Sequence, residues 1–259
     1  MKKILTICLF AIFFVGCTTS GFKNFYDPWY DEKHFPLKAY LKEGEEPVLI
    51  RTSDLEAKYR EITSRWYWCI GHSGFNGPDY SDATIYRSIA KLSKEVKAKV
   101  AIWSKSYTDT RSGVYSSPHT NYNSYVDGYG QHHTYTTTSY STYSYSIDRY
   151  DYSAYFFIPI PEKYKMQYAP GFTIANLSQQ DRDTYKQNTG CKIITVFENT
   201  VAYYANIFHG DIITEINGRK IYTKADFFDI KDASSKGDTW KMTIIRNGRP
   251  HKISLQFGL

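Results

Sequence analysis

Residues 104–155 constrain the fold more than any other stretch. Tyr107, Tyr115, Tyr122, Tyr125, Tyr129, Tyr135, Tyr140, Tyr143, Tyr145, Tyr150, Tyr152 and Tyr155 are 12 of the chain's 25 tyrosines, interleaved with Ser, Thr, Asn and Gly. Such a segment favours β structure but carries too little aliphatic surface to build a core of its own. Tyr143-Ser144-Tyr145-Ser146-Ile147 alternates with the period of a strand, while 112–133 holds Gly113, Pro118, Asn121, Asn123, Gly128 and Gly130, which form turns and loops. The expectation is a protruding β-hairpin or extended loop with legs at about 98–109 and 134–158. Tyr155-Phe156-Phe157-Ile158 would re-enter the core before Pro159 and Pro161 mark a domain boundary.

Upstream, a regular pattern begins. Val48-Leu49-Ile50 reads as a short strand, and Ser53-Asp54-Leu55-Glu56 has the spacing of a capping box opening a helix over about 54–64. Trp66 to Ile70 reads as a strand ended by the glycine-rich Gly71-His72-Ser73-Gly74-Phe75-Asn76-Gly77-Pro78, taken as a tight loop. Ile85, Ile89, Leu92 and Val96 put one apolar stripe on a helix of about 82–97, and Ala98 to Trp103 is the next strand. Strand, helix and strand in this order predict a small α/β layer over 47–160 with helices on a sheet. The pattern also resembles the N-terminal part of certain exported bacterial lipoproteins; that resemblance implies architecture and no activity.

At the N-terminus, Met1-Lys2-Lys3 precedes an apolar run from Ile4 to Gly16. As a helix this run would reach about 20 Å, short of a hydrocarbon core of about 30 Å, so 1–16 is read as an export signal. Phe14-Val15-Gly16-Cys17 resembles the bacterial lipobox, with Phe14 where Leu is usual. The resemblance implies cleavage before Cys17, acylation of Cys17 including palmitate, and a lipidated tether over 17–46. Thr18 in place of an Asp after the cysteine resembles the pattern sent to the outer membrane, facing the periplasm. Loss of Lys2 and Lys3 would leave 30 basic against 26 acidic residues, with no basic cluster, so nucleic acid is not an expected partner. Cys69 and Cys191 fall in separate regions and are expected as buried free thiols.

The C-terminal part is punctuated more specifically. Gly190 to Val196 reads as a strand, Val201 to Phe208 as a helical turn, and His209-Gly210-Asp211-Ile212-Ile213-Thr214-Glu215-Ile216-Asn217-Gly218 as turn, strand and Asn-Gly turn. A helix begins near Thr223 and ends before Gly237, with Asp226 and Asp229 on its solvated face; 240–246 and 250–257 pair through Asn247-Gly248. These motifs, in this order, resemble a bacterial PDZ domain of the type appended to HtrA-like proteases, covering 165–259 without the protease domain. The resemblance implies a barrel-like sheet with two helices and a groove that accepts an extended peptide or protein C-terminus as an added strand. It places Gly171, Phe172, Thr173 and Ile174 on the binding edge, with Phe228 and Lys231 of the later helix facing them. Against this, Phe172, Ile174 and Phe228 could be core residues, and Pro170 has no N–H for a carboxylate, which leaves open a groove that no longer takes free C-termini.

No catalytic constellation is expected. Gly71-His72-Ser73-Gly74 is superficially like the nucleophile loop of a chymotrypsin-like protease, but too few residues precede Ser73 to scaffold a histidine and an aspartate. His119, His132 and His133 lack further ligands at metal-site spacing, and Asp109, Asp148 and Asp151 read as solvated or capping groups. No cofactor motif is present. The chain is therefore expected to be an α+β, non-enzymatic, lipid-anchored envelope protein that binds peptides or protein partners. The alternative is an assembly protein whose tyrosine hairpin is the contact surface and whose groove is degenerate.

Overall fold

The computed structural model describes residues 21–30 and 39–258; Cys17 and the expected export signal lie outside the described residues. In the N-terminal half, β1 (Tyr26–Pro28), β2 (Val48–Arg51), β3 (Tyr67–Pro78), β4 (Val100–Val126) and β5 (His132–Pro159) form one sheet in the order β1-β3-β5-β4-β2. β2 runs parallel to β4, and β5 is antiparallel to both β3 and β4. Helices α1 (Leu55–Ser64) and α2 (Asp82–Glu95) cover the two faces. Ile85, Ile89 and Leu92 of α2 meet Ala101, Trp103, Phe156 and Ile158, while Ile62 of α1 meets Ile102 and Phe157. The stripe on α2 is the one its sequence period predicts.

Three local readings change. α1 is capped by Asp54, whose carboxylate accepts from Ala57 N, and not by the Ser53/Glu56 pair. The glycine-rich segment is not a loop: β3 runs through it to Pro78, with a bulge between Cys69 and Gly71. Gly71 is required there because Tyr26 of β1 lies across it, and a Cβ would sit 2.4 Å from the tyrosine Oη. The first leg of the hairpin is also far longer than the expected 98–109, while the second runs close to the expected 134–158. β4 and β5 stay paired from Val100↔Phe157 to Val126↔His132, so the turn shrinks to 127–131, where Asp127 accepts from Tyr129 N and Gln131 N. Gly113 belongs to the strand because the Tyr145 ring occupies the place of its Cβ, and Pro118 is tolerated because β4 has an open edge there.

After α3 (Glu162–Lys165) and a 3-10 turn (Met166–Tyr168), the chain forms β6 (Phe172–Asn176), α4 (Gln179–Tyr185), β7 (Cys191–Val196), α5 (Val201–Tyr204), β8 (Ile212–Ile216), β9 (Arg219–Lys220), α6 (Lys224–Asp232), β10 (Thr239–Arg246) and β11 (Arg249–Gln256). The second sheet has the order β11-β10-β8-β7-β6, with β9 on β8. It is open rather than barrel-like, because β11 and β6 remain edges, and α4 is a helix the sequence reading did not include. Its core gathers Phe172, Ile193, Ile213, Ile216, Phe227, Trp240 and Met242. Asp211, 2% exposed, receives both arms of the Arg246 guanidinium at 2.7 and 2.6 Å and the Phe208 N–H at 2.9 Å. Asp226 is no idle surface acid: it accepts from Tyr222 N and Thr223 N and closes a capping box. Asp229 pairs with Arg219 at 3.1 Å.

The halves meet through aromatic side chains. Trp66, in the left-handed region at φ 66°, turns the chain from α1 into β3 and stacks on Phe197 at 4.1 Å, while its indole N–H donates to the Glu198 carbonyl. Glu198 N donates to Ser64 O, and Tyr168 packs edge-on to Phe197 at 5.0 Å. Among the described residues, no helix is long and apolar enough to cross a membrane.

Candidate functional site

Among the described residues β6 pairs with β7 alone, through Phe172↔Val196, Thr173↔Thr195 and Ile174↔Ile193. Its other edge looks onto α6 across a cleft of about 270 Å³ lined by Trp68, Gln167, Tyr168, Phe172, Thr173, Ile174, Phe227, Phe228 and Lys231. Both ends of α6 are tied to the opposite wall. Lys224 N donates to the Asn176 side chain at 2.8 Å, and the Lys231 ammonium donates to the Gln167 carbonyl. Between these ties the strand edge and helix stand apart, which is the geometry needed for an inserted extended chain.

Five of the six residues singled out from sequence line this cleft. Phe172 is 4% exposed, so its ring is floor, held at 5.6 Å from Phe227. Phe228, 42% exposed, offers an accessible apolar ring, set edge-on to Phe227 at 5.7 Å. Lys231 lies 5.6 Å from that ring, and burial pushes its ammonium below the usual lysine range. Gly171 departs from the expectation. Its N–H is donated to Tyr168 O at 2.7 Å and its carbonyl accepts from Phe197 N at 2.8 Å, so its amide is committed to a turn. At φ 105°, with Thr200 Oγ1 2.2 Å from where a Cβ would stand, it is needed as glycine for that turn. With Pro170 lacking an N–H, these two positions supply no donor to a terminal carboxylate.

Sequence reasoning missed Trp68, Gln167, Tyr168 and Phe227. Trp68 belongs to the first sheet and stands 6.2 Å from Tyr168, so one wall of the cleft comes from the other half of the molecule. Nothing local marks it. Phe227 could have been found, since of two adjacent phenylalanines on a helix at most one faces the core squarely.

The other candidate groups sit in structural roles. Ser73 is fully buried and donates to Phe22 O at 2.7 Å, while His72 Nε2 lies 2.8 Å from Ser153 Oγ instead. Asp148 accepts from Thr110, Asp151 from Asn76, and Asp109 stands 3.5 Å from Arg111. His133 pairs with Asp127 at 2.8 Å. Among the described residues no three His, Cys, Asp or Glu groups are placed to hold a metal ion. Cys69 and Cys191 are buried free thiols, each pushed up to about 12 by burial.

Comparison with known proteins finds a family match for one stretch of the chain. The family described as PDZ domain matches residues 171–257, about a third of the chain. Among solved structures, the HtrA3 PDZ domain bound to a phage-derived ligand (FGRWV) is 18% identical with a TM-score of 0.30, covering 34% of this chain and 81% of that one. The HtrA-type protease AlgW with decapeptide is 17% identical with a TM-score of 0.33 over 40% of this chain, and AlgW with tripeptide is 16% identical at 0.32. This chain spans only 37% and 39% of the lengths of those two protease structures. No curated protein matches by sequence.

Proposed function

With residues 171–257 forming a PDZ domain, we propose that the chain captures an extended peptide or protein segment in the cleft between β6 and α6, without catalysing a reaction on it. The observation that carries this reading is the edge of β6 away from β7, which faces Phe228 and Lys231 across the cleft. Main-chain bonds from Thr173 and its neighbours would hold the segment, and the apolar surfaces of Phe228, Ile174 and Trp68 would select its side chains. Among the described residues, Lys231 is the one cation lining the cleft and the natural counter-charge for a terminal carboxylate, in place of the Pro170 and Gly171 amides. The burial of Ser73 Oγ supports a non-catalytic reading.

Peptide display against the full chain, followed by calorimetry, tests the proposal. Selected peptides should lose affinity on Phe228→Asp, and an amidated C-terminus should weaken them only if Lys231 holds the carboxylate. Failure to select any peptide overturns it.

The chain is also proposed to be anchored by acylation of Cys17 at the outer membrane, facing the periplasm. The support is the apolar run and lipobox-like sequence at 4–17. Mass spectrometry of the N-terminal peptide should find a diacylglyceryl cysteine, absent in Cys17→Ala; an unmodified Met1 in the mature protein overturns it.

A further inference from the structure

The hairpin of β4 and β5 leaves the sheet that anchors it. β2 stops pairing with β4 at Arg51↔Trp103, and β3 stops pairing with β5 at Pro78↔Arg149. Beyond those points, among the described residues, the two strands pair only with each other, through the seventeen register positions from Thr110↔Asp148 to Val126↔His132. A two-stranded ribbon is marginal in water by itself, and three or more strands are the usual remedy. The ribbon is also nearly free of charge. Between Ser112 and Ile147 the only Asp, Glu, Lys or Arg is Asp127, which is already engaged with the turn amides and His133.

The two open edges are not alike. Over Arg111–Val126, the stretch paired with His132–Ile147, β4 carries Arg111, Gly113 and Pro118, which are among the devices that keep an edge from pairing with another strand. β5 from His132 to Ile147 contains no Lys, Arg, Asp, Glu, Gly or Pro at all. It is an unbroken run of Thr, Ser, Tyr, His and one Ile, unguarded for about 54 Å at about 3.4 Å per residue.

We propose that two copies of this chain pair antiparallel through the β5 edges over His133–Ile147, with Tyr140 at the two-fold and Thr136 opposite Ser144, forming a four-stranded sheet with the order β4-β5-β5-β4. The occupant is a second copy because the edge is neutral and self-compatible: no charge is there to select a different partner, and none repels the same strand running the other way. A two-fold axis perpendicular to the sheet keeps each face on its own side. The face bearing Tyr115, Tyr125, Tyr135, Tyr143 and Tyr145 therefore continues across all four strands, and each ribbon gains the neighbour its stability calls for. The inference is independent of the peptide cleft, which lies in the other sheet.

Sedimentation equilibrium of the full chain over about 1 to 100 µM tests it, a range that brackets micromolar association. The chain should be dimeric at the upper end. Thr136→Lys, Ser139→Lys and Ser144→Lys together should weaken the dimer at least about 100-fold, since like charges face one another across a paired edge. The matched triple on β4, Ser112→Lys, His119→Lys and Ser124→Lys, should change it less than about threefold, being on the edge that does not pair. Unchanged thermal unfolding of the rest of the chain in both triples separates a lost contact from a lost fold. A monomer at every concentration, a dimer insensitive to the β5 triple, or equal effects of the two triples would each overturn the proposal.

Discussion

The open edge of β6 and the open edge of β5 differ in what surrounds them. β6 is five residues long, faces a helix, and ends against Asn176 on one side and the Lys231–Gln167 contact on the other. An incoming strand meets walls that interrogate its side chains. The β5 ribbon edge is three times as long and, among the described residues, lies beyond the last pairing with β3 with no helix packed along it. An incoming strand there is accepted on backbone alone, so discrimination has to come from what the edge lacks: charge, glycine and proline. Selectivity in the first case is built by neighbours, and in the second by composition.

The most damaging way to break this comparison is to remove the support under the short edge. Asp211→Ala would leave Arg246 partly buried without its carboxylate and cost about 3–5 kcal/mol, read as a drop in the urea midpoint with the ribbon dimer intact. Phe227→Ala opens a cavity beneath β6 and should cost about 3–5 kcal/mol, whereas Phe228→Ala should leave stability within about 0.5 kcal/mol while lowering peptide affinity. A smaller change, Trp68→Ala, should weaken peptide binding about tenfold, or about 1.4 kcal/mol, while altering nothing at the ribbon. Calorimetry on the same peptides decides it, and unchanged affinity would mean the first half does not wall the cleft.

The smallest effect concerns pH. Lys192 donates to Asp181 and holds that carboxyl down at about 2, tying α4 to β7 behind the short edge. A depressed carboxyl stabilises the fold above its unfolded pKa, and the contribution disappears as pH falls through the folded value. Wild type should therefore exceed Asp181→Asn in unfolding temperature at pH 6, and the gap should close between about pH 4 and pH 2, following the unfolded and folded pKa values.

Much of the fold was legible because the residues that set it act locally. The stripe on α2 and the Asn217-Gly218 and Asn247-Gly248 turns, with both asparagines at φ 50°, report their own geometry. What misled was glycine and proline read as breakers. Gly71 and Gly113 are small because Tyr26 and Tyr145 lie over them, and those contacts are made by distant strands. The cleft was legible on the β6 and α6 side, where helix and strand belong to one family pattern. Trp68 was not, because its place beside Tyr168 depends on how Trp66 locks onto Phe197. The buried donation of the Gly171 amide was equally invisible, since it depends on a turn formed with Tyr168.

One inserted residue governs how the ribbon presents its aromatic rings. Between Tyr107 and Asp109 the register of β4 slips against β5, so that Tyr107 faces Tyr150 but Asp109 faces Arg149. Strands count in twos, and this extra Thr108 changes the phase of everything beyond it. With the slip, Tyr115 stacks on Tyr143 at 5.4 Å and Tyr125 meets Tyr135 at 6.2 Å. Without it, Tyr115 would oppose Thr142 and the rings of the two strands would point to opposite sides. Thr108 thus acts as a parity bit: it decides whether Tyr115 and Tyr125 share a face with Tyr135, Tyr143 and Tyr145 or stand on the opposite one.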